Sequence, residues 1–150
     1  MEEALYNNIR TSIPDNQNCS ANYKEEATSW LAEKSESYYS LKNANIVAGN
    51  EDSLLMVEEH IHRPENCKSE YQQLIVCHHL LRHYELEKYQ EDQTNKTCPP
   101  CAFVLVEGLP GVGKTFVTKT LQNITRKVCN SNGAEMSSDP TGCAASLIDG

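Results

Sequence analysis

Hydrophobic side chains fall into distinct periods along the 150 residues. From Ser69 to Tyr89, the residues Tyr71, Leu74, Ile75, His78, Leu81 and Glu85 recur at helical spacing, with Leu86 and Tyr89 along the edge of that face, and this predicts an amphipathic helix. The next stretch, QEDQTNKTCPP, is polar and ends in two prolines that cannot continue a helix, so it reads as a linker. Cys101 to Glu107, CAFVLVE, is then a continuous apolar run of strand formers, the pattern of a buried strand in a parallel sheet. Beyond a glycine-rich segment, Val117, Leu121, Ile124 and Val128 mark one stripe of a further helix. Arg126 and Lys127 lie in its last turn, where cations suit the negative end of the helix dipole, and NSNG ends it.

Residues 1–66 are polar and rich in Asn, Ser and Glu, with short candidate helices near Ala21 to Lys34 and Ser53 to His62, divided by NANIVAGNED and stopped by Pro64. Their hydrophobic content is too thin to organise a core, which predicts a loosely packed, partly disordered lead-in. The expected organisation is therefore a polar, mostly helical or disordered segment over 1–66 and an α/β domain over 67–150.

Charge follows the same division. The net charge is −8, and residues 1–97 carry 9 Lys and Arg against 17 Asp and Glu, whereas 98–150 carry 4 against 4. No basic stripe marks a nucleic-acid face, so a DNA contact would have to use backbone amides and small polar side chains. Acidic residues stand at the N-terminus where a signal or transit peptide carries bases, and the longest clean apolar run is Ala102 to Val106. The expectation is a soluble, non-secreted chain with no membrane partner, whose seven cysteines (19, 67, 77, 98, 101, 129, 143) are thiols.

The chemistry centres on GLPGVGKT, Gly108 to Thr115, which fits Gly-x-x-x-x-Gly-Lys-Thr in full. Glycines let the backbone curl with no Cβ in the way, so that the N–H groups of about Gly111 to Thr115 can point at phosphate oxygens, and the helix that follows adds its positive end. Lys114 is placed to reach the β and γ phosphates and the Thr115 hydroxyl to coordinate Mg²⁺. An apolar run before the loop and a helix after it are the context that this motif needs. Hydrolysis also calls for an acid at the end of a second apolar strand. The later candidate, Asp149 in SLIDG, follows a poor strand and reads as a helix-end aspartate.

About 25 residues beyond the loop comes PTGCAASLIDG, Pro140 to Gly150. A Thr-Gly pair at the edge of a doubly wound sheet offers a hydroxyl and a bare amide to a phosphodiester, which suits a single strand tracked without reading its bases, and it reads equally as an ordinary turn before a helix. Together the two segments resemble motifs I and Ia of the Pif-type (petite-integration-frequency) superfamily-one DNA helicases, above all the Helitron-like members. The resemblance covers roughly residues 101–150, or 70–150 with the upstream helix. It implies an α/β RecA-like P-loop NTPase fold with a parallel sheet, Mg²⁺ and ATP as cofactors, ATP hydrolysis coupled to 5′-to-3′ movement on single-stranded DNA, and work in telomere maintenance, recombination and repair. A nuclear or mitochondrial location is implied likewise. Carried over, Gly108, Gly111, Val112, Gly113, Lys114, Thr115 and Phe116 would bind nucleotide, with Lys114 and Thr115 catalytic and Thr115 on Mg²⁺. Thr141 and Gly142 would touch DNA. Gln72 would read adenine, although Ser69-x-x-Gln72 is equally a helix capping box.

Two departures stand out. AEMSSD, before the second motif, is less apolar than a buried strand, and the 150 residues contain no Walker B pair, completing arginine or second RecA-like domain. The 150 residues alone are expected to be inactive in unwinding. A remnant that at most binds nucleotide, or another P-loop ATPase or nucleotide kinase, is the alternative; a GTPase's Asn-Lys-x-Asp after the loop and a kinase's basic lid are both missing.

Two tempting clusters lack partners in the sequence. Cys98 and Cys101 have C-x-x-C spacing without a second pair, and His79 and His83 sit one turn apart beside Cys77 without an acid or further ligand. A linker, a mixed polar helix face and no zinc are expected.

Overall fold

The computed structural model describes residues 21–47, 53–92, 98, 104–131 and 134–136. They form helix α1 (Ala21–Val47), α2 (Ser53–Ile61), a single 3₁₀ turn (Pro64–Asn66), α3 (Glu70–Glu91) and α4 (Lys114–Cys129). The expected α/β, RecA-like parallel sheet is overturned: the described residues are mostly helical and include no strand. Of the Cys101–Glu107 run, residues 104–107 carry no ladder, and Val104 and Leu105 are 55% and 77% exposed. A strand exists only through hydrogen bonds to a neighbour, and apolar β-formers cannot supply that neighbour themselves. Of AEMSSD, the described residues 134–136 carry no ladder either, and Met136 is exposed. None of the helices is long and apolar enough to cross a membrane.

The helices instead bury one another. Ala27 and Leu31 of α1, Val76, Leu80 and Tyr84 of α3 and Ile124 of α4 form one core with Cys67, flanked by the half-buried Tyr23, Trp30, Phe116, Leu121 and Val128. Tyr23 and Trp30 each meet the Tyr84 ring edge-on at 5.4 Å, and the Tyr84 hydroxyl donates to Glu26 at 3.1 Å. Lys34 of α1 pairs with Glu87 of α3 at 2.8 Å. Packing thus crosses residue 66, joining α1 to both later helices.

α1 runs well past Lys34, through the NANIV segment. Its buried positions, Ala27, Leu31, Tyr38 and Lys42, keep to one side of a helix, and neither Gly nor Pro interrupts 21–47. Its lower half is held by a polar group: Glu59 of α2, 1% exposed, accepts from the Tyr38 hydroxyl at 2.9 Å and from the Lys42 ammonium at 3.1 Å. Glu58 pairs with Lys119 of α4 at 3.0 Å, and the Asn123 amide donates to the His62 carbonyl at 2.9 Å. Between these helices lies a cavity of about 10 Å³, lined by Glu59, His62, Gln122 and Arg126 among others, with room for one water.

α3 buries a different face from the expected one. Val76, Leu80 and Tyr84, spaced four apart, turn inward, whereas Tyr71 is exposed and Leu74, Ile75 and His78 are only half-buried. The helix packs against α1 and α4 together, and the face between two neighbours need not coincide with the most apolar stripe. α4 matches its expected stripe at Val117 and Ile124 and ends as NSNG suggests. Asn130, at φ 52°, is a left-handed cap whose N–H and that of Ser131 return to Lys127 and Arg126. Arg126 and Lys127 do more than face the dipole: both are buried, Arg126 pairing with Glu135 and Lys127 lying 5.2 Å from the Tyr39 ring.

Candidate phosphate-binding site

Gly108–Thr115 forms an exposed loop that turns directly into α4. Gly111 and Gly113 have φ of 83° and 86°, left-handed values that L side chains avoid, so these two glycines make the turn that the motif asks of them. Gly113 is the N-cap of α4 and has no side chain to satisfy the helix's first N–H groups, which leaves the donors of the first turn facing the loop. The Lys114 ammonium folds back over that loop and donates to the carbonyls of Gly108 at 2.7 Å and Leu109 at 2.9 Å. One cation and the free amide donors of a helix start therefore share one loop, the electrostatics of an anion site.

Thr115 follows on the first turn, exposed, as a hydroxyl ligand of a bound cation must be. Phe116 is half-buried, packs on the core and lies 5.0 Å from the His62 ring, so its side chain anchors the helix and only its backbone N–H belongs to the loop. Val112 and Leu109 are exposed.

Gln72 comes to the loop from 40 residues away, as the adenine role requires, but its amide is already engaged. Its nitrogen donates to the Val112 carbonyl at 3.4 Å and its oxygen accepts from the Lys68 N–H at 3.1 Å, while its own N–H donates to the Ser69 hydroxyl at 3.2 Å. This is the capping arrangement shifted by one residue, the Gln side chain reaching the N–H before the cap. Adenine reading would exchange both amide bonds for base contacts.

No protein-family model, curated protein or solved structure matches this chain. Chemistry at the site is thus carried by its own geometry. Thr141, Gly142 and Asp149 lie outside the described residues, as does Cys101 of the C-x-x-C pair.

A Cβ placed on Gly113 would stand 2.5 Å from the Gln72 side-chain nitrogen, whereas one on Gly111 would meet nothing within 4 Å. Both substitutions force an L residue into left-handed backbone, at about 1–2 kcal/mol each. Gly113→Ala must also evict Gln72, so it is expected to lower the melting temperature more than Gly111→Ala. Equal losses in thermal unfolding would remove Gln72 from the support of the loop.

Away from the loop, His79 and His83 of α3 both approach the Thr125 hydroxyl of α4, at 3.0 and 3.5 Å. Burial first, then the charge of its neighbour His83, pushes His79 down to about 4, and burial and Arg82 lower His83 as well, so both rings are neutral at pH 7. Sequence distance hid Thr125 from the two histidines; only the shared face of α3 and α4 brings them together. Among the described residues no three His, Cys, Asp or Glu side chains converge as a metal set.

Proposed function

We propose that this chain binds the phosphates of a nucleoside triphosphate, ATP with Mg²⁺, on the loop Gly108–Thr115. The observation that carries the proposal is the Lys114 ammonium poised over a loop with two left-handed glycines at an uncapped helix start. Phosphate oxygens would replace the carbonyls of Gly108 and Leu109 as acceptors for Lys114 and take up the free amide donors of the first turn of α4. Mg²⁺ would be held by the Thr115 hydroxyl and by the phosphates.

Within this proposal, the role of nucleotide-binding element in a Pif-type DNA helicase rests on the resemblance of Gly108–Thr115 and Pro140–Gly150. Single-stranded DNA would then be the second ligand, through Thr141 and Gly142. The described helices support the phosphate step; the DNA step has the motif as its support.

Titration with a fluorescent ATP analogue in Mg²⁺ tests the first step. Removing a charge-assisted donor costs about 1.5–3 kcal/mol, so Lys114→Ala is expected to weaken binding roughly ten- to hundredfold. Equal affinity of the variant and the parent would sink the phosphate assignment.

A further inference from the structure

At the seam between α3 and α4, two imidazoles and a hydroxyl converge on a point that the phosphate loop does not use. His79 and His83 are one helical turn apart, so their rings project from the same side of α3, with centroids 4.5 Å apart. Their Nε2 atoms lie 3.0 and 3.5 Å from Oγ1 of Thr125. The Thr125 hydroxyl gives its only proton to the Leu121 carbonyl at 3.0 Å, which leaves the oxygen lone pairs for the rings. In a tetrahedral site with bonds of 2.0–2.1 Å, any two ligand atoms stand about 3.4 Å apart. The two nitrogen–oxygen separations bracket that edge. All three side chains are half-buried, so packing of α3 on α4 holds the point in place.

We propose that His79, His83 and Thr125 form a seat for one borderline transition-metal ion of the Zn²⁺ class, with the two Nε2 atoms as principal ligands, Oγ1 as the third and water as the fourth. Imidazole suits Zn²⁺, Co²⁺, Ni²⁺ and Cu²⁺, whereas Mg²⁺ asks for carboxylate and carbonyl oxygens that this set lacks. The sequence argued against zinc because α3 offers the two histidines no further ligand. α4 supplies it, from 42 to 46 residues away. An ion held this way would fasten α3 to the helix that begins at Lys114.

The test uses the full chain, isotopically labelled, stripped with a chelator and free of nucleotide. Zn²⁺ is titrated while the histidine ring nitrogens are followed by long-range proton–nitrogen correlation, and thermal unfolding is measured in parallel. The Nε2 signals of His79 and His83 are expected to move together and saturate at one ion per chain, with a melting temperature that rises with Zn²⁺ and not with Mg²⁺. His83→Gln should weaken the ion at least about tenfold, and Thr125→Val, which keeps the shape of the side chain, by less. The correlation spectrum of the unaltered chain decides the matter even where a variant fails to fold. Response at the cysteines or at other histidines while His79 and His83 stay still would overturn the site, as would no response at millimolar Zn²⁺.

Discussion

Glu59→Ala is expected to destabilise the chain by about 3–5 kcal/mol, the usual cost of breaking a buried ion pair by removing one partner. Lys42 is 7% exposed and Glu59 1%, so the remaining ammonium has little water to turn to. The Tyr38 hydroxyl loses this acceptor in the same step; burial and the carboxylate raise its pKa well above the normal phenol value, keeping it a donor throughout the working range. The residues that remain are a cation and a phenol facing a gap. Urea unfolding of the variant is the direct measurement. A double change, Lys42→Met with Glu59→Leu, should recover much of the loss, because an apolar pair of like volume removes the stranded charge. A single Glu59→Ala variant as stable as the parent would mean that α2 does not hold α1 through this contact.

Acid is expected to loosen the seam of α3 and α4 before it titrates most carboxylates. His79 has a folded value of about 4 against about 6.5 for the unfolded chain. Above pH 6.5 both states are neutral at this ring and it makes no pH-dependent contribution. As pH falls from 6.5 towards 4, the unfolded chain takes up a proton that the folded chain refuses, so stability falls with pH, and below about 4 the dependence ends. The loss between pH 7 and pH 5 is about 2 kcal/mol from this ring alone, rising to about 3 kcal/mol near pH 4. His83 is shifted the same way and adds to the slope. The groups around the pair are His78 and Arg82 on α3, both repelling a new positive charge, and Thr125 and the Leu121 carbonyl on α4. Thermal unfolding at stepped pH in chelator-containing buffer measures this slope. His79→Gln should flatten it between pH 7 and 5; an unchanged slope would assign the acid sensitivity elsewhere.

Features set within a few residues were legible in the sequence. The left-handed glycines at 111 and 113, the Ser69 cap and the end of α4 at Asn130 all follow from local backbone rules, and the structure has each of them. The strand expected over Cys101–Glu107 has no ladder at 104–107 because its residue types describe half of a pair, and the described residues hold no other half. α1 was cut short at Lys34 because Tyr38 and Lys42 look like surface residues until Glu59 arrives to bury them. The inner face of α3 was missed for a related reason: Tyr84 and Val76 are chosen by two neighbouring helices, which no single-helix period contains. Of the two readings of Gln72, the capping one has a counterpart in its bonds to the Lys68 N–H and the Ser69 hydroxyl. Its contact with Val112 spans 40 positions, so the sequence alone left its partner open.

α4 joins two ends of different character. It begins at the phosphate loop with Lys114, and its last turn is clamped by the Arg126–Glu135 pair and the Asn130 cap. Sixteen residues at 1.5 Å each make a strut of about 24 Å. Its flanks are held by Ile124 in the core and by Lys119 against Glu58. On the proposed phosphate reading, a ligand at Lys114 would sit at one end of a helix whose other end is tied to Glu135.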